Sequence, residues 1–147
     1  MNKKEIEILY PEFNILDINE DEDNFYIILE PNVNKFNCPY CNTPSDKVNQ
    51  KYEKIVQDLS IKHKNVLLTV KNKLYFCYNK DCPHITFNPV FNLFKNTEKK
   101  TNRLINYILD LKKDRTYQQV ADIINAEGIK VSKTTICDIT LKYKTGE

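Results

Sequence analysis

An α+β fold follows from three features of this chain: a β-rich first part over residues 1–95, a helical second part over residues 96–147, and cysteines grouped in the first part. Short aliphatic and aromatic runs, broken by turn formers, fill the chain up to about Phe94. Beyond Asn96 the apolar residues recur at helical spacing. Four of the five cysteines fall in two close pairs, Cys38/Cys41 and Cys77/Cys82.

The first element is a hairpin over residues 6–30. Glu12–Ile18 has partial period-two alternation, Asn19–Asn24 is polar and turn-like, and Phe25–Leu29 is a second strand stopped by Pro31. The pattern KVNQKYEKIVQDLS (47–60) suits either a strand or a short helix. Val66–Val70 and Lys73–Cys77 read as strands, and Phe87, Val90, Phe91 and Phe94 close the first part. In the second part, residues 97–101 open a helix that buries Leu104, Ile105, Ile108, Leu109 and Leu111. Thr116 caps a second helix running to Glu127, with Val120, Ala121, Ile123 and Ile124 inward. Gly128 ends it in the left-handed conformation. Ser132 caps a third helix carrying Ile136, Ile139 and Tyr143.

The net charge of +2 is unevenly spread. Residues 1–37 carry −6, residues 38–95 carry +5 and residues 96–147 carry +3. An acidic head on a basic body suits a polyanionic partner for the body. With Gly128 and Gly146 as the two glycines, glycine-rich phosphate loops are excluded. No apolar run approaches the roughly 20 residues of a membrane helix. The segment MNKKEIEILYPEF has no signal-peptide character, so a cytoplasmic location with reduced cysteines is expected.

Two thiolate pairs at strand-to-turn junctions in a reducing compartment fit the tetrahedral demand of zinc. Cys38, Cys41, Cys77 and Cys82 are therefore the expected ligands of one structural zinc ion in a zinc ribbon, and its removal is expected to unfold residues 36–95. CPYC is also the active-site motif of glutaredoxins, which requires its first cysteine at a helix N-terminus. Asn42-Thr43-Pro44-Ser45 follows instead, and no βαβ pattern surrounds it. His63 and His84 could each replace a cysteine ligand but both read as surface residues, His63 more firmly than His84, which lies two residues beyond Cys82. Cys137 reads as a buried small side chain.

The run TYQQVADIINAEGIKVSKTTICDI has the layout of a helix-turn-helix. The start of its second helix would enter the major groove, which nominates Ser132, Lys133, Thr134 and Thr135 for DNA contact, with Arg115, Gln118, Lys130 and Lys142 around them. Lys62, Lys64, Lys71 and Lys73 of the ribbon are candidates for further backbone contacts.

From Phe13 to Tyr143 the chain resembles the N-terminal part of ISL-three family transposases. The resemblance runs through CPYC, KYEKIVQDL and VLLTVKNKLYFCYNKDCPHITF, and its most specific element is Phe76-Cys77-Tyr78-Asn79-Lys80-Asp81-Cys82. It implies a zinc ribbon and a helix-turn-helix that bind the terminal inverted repeats of an insertion sequence. The chain departs from the family at Asn49, Ser60, Lys71 and Lys73. The family's catalytic nuclease domain should follow the helix-turn-helix, and the sequence ends at Glu147, so DNA binding is expected without catalysis. The expected partner is double-stranded DNA, with a homodimer as one admissible assembly and no membrane. The alternatives are a zinc-ribbon adaptor that uses its acidic hairpin to bind another protein, or a small transcriptional regulator.

Overall fold

The computed structural model describes residues 2–144. It contains helix α1 (Lys3–Leu9), strands β1 (Phe13–Glu20), β2 (Asn24–Pro31), β3 (Phe36–Asn37), β4 (Pro44–Ser45), β5 (Val48–Ile61), β6 (Lys64–Phe76) and β7 (Thr86–Phe87), then helices α2 (Asn102–Lys112), α3 (Tyr117–Ala126) and α4 (Lys133–Lys142). The main sheet has the order β1-β2-β6-β5, with β7 paired to the end of β6, while β3 and β4 form a separate small hairpin. The expected hairpin is β1–β2, but residues 3–9 form a helix rather than its leading edge. Glu5-Ile6-Glu7-Ile8 alternates like a strand, yet Asn2 caps a helical turn through the Glu5 N–H, burying Ile6 and leaving Ile8 exposed.

The ambiguous segment 47–60 belongs to β5 from Val48 onward, and the two expected strands over 66–77 are one strand, β6, which ends at Phe76. Together they form a long antiparallel ribbon. At about 3.3 Å per residue its 13-residue strand β6 extends on the order of 40 Å. The ribbon turns through Lys62 and Ile61↔Lys64 pairing leaves only Lys62 and His63 in the loop, both at positive φ (51° and 60°). Strand β2 runs parallel to β6, from Asn24↔Asn65 to Leu29↔Val70.

Two apolar clusters account for most of the interior. The first joins Ile6 of α1 and Tyr10, which caps its C-terminus, with Ile27, Leu29, Val56, Leu68 and Val70 of the sheet and with Phe91 and Phe94 of the return segment. The second joins α2, α3 and α4 through Leu104, Ile108, Val120, Ile124, Ile129 and Ile136. Thr101, Thr116 and Ser132 cap these helices; α2 begins at Asn102, so residues 97–100 lie outside it. Gly128 has φ +95°, in the expected left-handed region.

Buried polar contacts tie the helices to the ribbon. Asp58, which is 2% exposed, accepts hydrogen bonds from the hydroxyls of Tyr10 (2.7 Å) and Thr101 (2.7 Å), from Arg103 Nε (2.8 Å) and from Arg103 Nη2. Burial acts to raise the Asp58 pKa, but the donors from Arg103 and Tyr10 prevail and hold it below the usual carboxylate range. Nearer the ribbon tip, Gln57 Nε2 donates to Asn65 Oδ1 (2.7 Å) and to the Lys130 carbonyl (3.0 Å). The Lys130 N–H donates back to Asn65 Oδ1 (3.2 Å). Gly128 lies against the tip itself, where a Cβ would sit 2.0 Å from the His63 carbonyl oxygen.

Candidate metal centre and the neighbouring helices

Each cysteine pair sits on a tight β-turn device. In the first, β3 and β4 pair Phe36 with Ser45 and Asn37 with Pro44, presenting Cys38-Pro39-Tyr40-Cys41 at the loop. The Asn42 N–H donates to the Cys38 carbonyl (2.7 Å), the Cys38 N–H donates to the Thr43 carbonyl (2.9 Å), and Asn42 closes the loop at φ 63°. In the second, β6 and β7 pair Tyr75 with Phe87 and Phe76 with Thr86. The Cys77 N–H donates to the Ile85 carbonyl (2.8 Å), and Asn79 receives the N–H groups of Asp81 and Cys82 (3.0 Å each).

The two loops bring all four Sγ atoms within 4.8 Å of one another. Cys38 and Cys82 are 4.0 Å apart, and Cys41 and Cys77 are 3.5 Å apart. A tetrahedral ion with Zn–S bonds of about 2.3 Å requires sulfurs about 3.8 Å apart, so the spacing fits without rearrangement. Cys38 and Cys77 are buried, and Tyr75, Phe87 and Phe36 pack around them.

The charge pattern agrees with this geometry. The Thr43 hydroxyl and backbone pull Cys41 down to about 6. At Cys77 the Asn79 backbone N–H lowers the pKa, but burial and the neighbouring thiols outweigh it and push the group up to about 12. Four thiolates this close cannot ionise together unless a cation lies among them. No helix follows Cys41, so the arrangement needed for a glutaredoxin-type thiolate is missing at this site.

Neither histidine joins the cluster. His63 forms the ribbon turn, while His84 stacks on Tyr40, with ring centroids 3.4 Å apart and planes 6° from parallel. The stack links the loop of one cysteine pair to that of the other. Nothing in the sequence pattern singled out this contact, since Tyr40 and His84 are far apart in the chain.

The residues nominated for DNA contact separate into four places. Ser132, Lys133, Thr134 and Thr135 form the opening turn of α4, the first three exposed and Thr135 half-buried, with Ser132 capping the Thr135 N–H at 3.1 Å. Lys130 precedes them, its side chain exposed and its backbone held by Gln57 and Asn65. Arg115 and Gln118 flank the start of α3, where they bond Asp114 and Asp122 (2.8 Å each). Lys142 lies at the far end of α4 and is paired with Glu98. On the ribbon, Lys64 is engaged by Glu20 and the Asp21 carbonyl. Cys137 is half-buried on α4 rather than fully enclosed.

Residues 35–82 match the family model described as the zinc-finger of transposase IS204/IS1001/IS1096/IS1165. That model corresponds to the N-terminal zinc ribbon of ISL-three family transposases, to which this segment is similar, and the match spans all four cysteines. Comparison with curated proteins and comparison with solved structures each return no match. The matched family and the sulfur geometry together fit one structural zinc ion. No helix among the described residues is long and apolar enough to cross a membrane.

Proposed function

We propose that this chain is a zinc-stabilised, sequence-specific DNA-binding module of a transposase, recognising the terminal inverted repeats of its element. The observation that carries this reading is a transposase-type cysteine cluster on a ribbon that also holds three small helices, the last opening on exposed Ser132, Lys133 and Thr134. In this reading α3 and α4 are the helix-turn-helix, the division between ribbon and helices falls near Asn96, and the first turn of α4 enters the major groove. Cys38, Cys41, Cys77 and Cys82 would close a zinc ion with four protein ligands, so the metal would shape the ribbon and leave no open position for chemistry.

A gel-shift titration with zinc-loaded protein and duplexes carrying the flanking repeats tests the reading. Preferential binding of the repeats over scrambled duplex at moderate salt is expected. Lys133→Glu should weaken binding at least tenfold with unchanged circular dichroism, because it places a negative charge at the phosphate contact without touching the core. Equal affinity for scrambled duplex would reject sequence recognition.

A further inference from the structure

A groove of about 690 Å³ lies between the loop after β2 and the zinc-proximal half of the ribbon, and Lys51, Lys71 and Lys73 line it. Lys51 and Lys73 are directly paired across the β5–β6 ladder. Like charges placed opposite each other destabilise a strand pair. Lys71 faces Glu53 across the same ladder at 4.0 Å, an exposed and weak pairing. Glu30 and Glu53 also line the groove, so it carries three lysines against two carboxylates, and its opposed pair Lys51 and Lys73 would be relieved by an anion.

The ladder also fixes where these lysines stand relative to α4. No bulge interrupts the register between Gln50 and Asp58, so Lys51, Glu53, Ile55 and Gln57 share one face with Lys73, Lys71, Thr69, Leu67 and Asn65. At its other end this same face grips the Lys130 backbone through Gln57 and Asn65, two residues before the α4 cap. Eight residues separate Asn65 from Lys73, which is about 26 Å along the strand. That is about three quarters of one turn of B-form DNA, which is about 34 Å.

We propose that Lys51, Lys71 and Lys73 form a second contact to the DNA backbone. The Gln57–Asn65–Lys130 grip holds it at a fixed spacing from the opening turn of α4. The bound site is then bipartite: a base-read segment under α4 and a phosphate segment about three quarters of a helical turn away along the duplex. This rests on the reading of α4 as the DNA-contacting helix.

The test uses the full zinc-loaded chain and the sequence it selects from a random duplex library of about 30 base pairs. Wild type is compared with the double variant Lys51→Ala/Lys73→Ala, whose zinc content and melting temperature serve as folding controls. Each phosphate contact contributes a slope of about 0.9 to the salt dependence, so the variant should lose a slope of roughly 2. Between about 50 and 200 mM salt, wild type should therefore lose roughly twelvefold more affinity than the variant. Sequence preference should stay the same, and the backbone footprint should shorten on one side only. With wild-type protein, inserting about five base pairs between the two footprinted segments rotates one by about half a turn relative to the other and should reduce binding to the level of the double variant. If wild type selects no sequence, the reading of α4 and the proposal fall together. If it selects one, and the double variant keeps the full slope and footprint, the proposal alone is wrong.

Discussion

Asp58 shows at residue scale how a polar side chain holds a fold together. Its carboxylate joins α1, β5 and α2 through Tyr10, Arg103 and Thr101. Removing one member of a buried ion pair typically costs about 3–5 kcal/mol, because the other is left unsatisfied. Arg103 retains partial access to water, so the low end applies to Asp58→Asn. About 3 kcal/mol, or on the order of 10 °C in melting temperature, is expected by calorimetry. The pH dependence has a definite sign. The folded pKa of Asp58 lies below its unfolded value of about 3.9, so its contribution is complete above that value. It is lost as pH falls through the folded pKa, and urea titrations below about pH 4 should show wild type converging on the Asn variant. Tyr40 offers a second residue-scale test. An aromatic pair contributes about 0.5–1.5 kcal/mol, so Tyr40→Ala should release zinc to a chelator severalfold faster while one zinc per chain still binds.

At the scale of elements, the ribbon turn is a point of stored strain. Two-residue hairpin loops with both residues at positive φ favour Asn-Gly, and here Lys62 and His63 occupy them. Lys62→Asn with His63→Gly should raise stability by about 1–2 kcal/mol in denaturant titrations. Gly128→Ala should do the opposite by more than about 1 kcal/mol, since the new methyl meets the His63 carbonyl and the backbone is left-handed. Hydrogen exchange should then increase both in the ribbon tip and at the start of α4. These elements differ in how far the sequence discloses them. The helices were legible because Thr116, Gly128 and Ser132 are local signals that the tertiary structure leaves intact. The cysteine loops were legible because ligand spacing survives without knowledge of the intervening fold. Helix α1 was not, because Glu5-Ile6-Glu7-Ile8 has the period of a strand. The docking of helices on ribbon was also hidden. It depends on Gln57, Asp58 and Asn65, which any composition-based reading places on the surface and which the structure buries.

For the whole molecule, the two apolar clusters narrow the effect expected of metal removal. The cluster under the sheet and the one among the helices contain none of the zinc-binding cysteines. Chelation should therefore disorder residues 36–47 and 77–88, around β3, β4 and β7, while the main sheet and α2–α4 persist. Amide exchange before and after chelation, read segment by segment, checks this; loss of protection throughout 48–76 would show that the ribbon cannot stand without its metal. The parallel pairing of β2 with β6 bears on how the chain is made. Asn24 must wait for Asn65, 41 residues later, before its strand gains its inner neighbour. At about 5–20 residues per second, a ribosome leaves the β1–β2 hairpin half-paired for roughly two to eight seconds. During that interval its open edge is available to other nascent chains, and the acidic residues of the Asp21–Asp23 turn give it the like-charge repulsion that discourages such pairing.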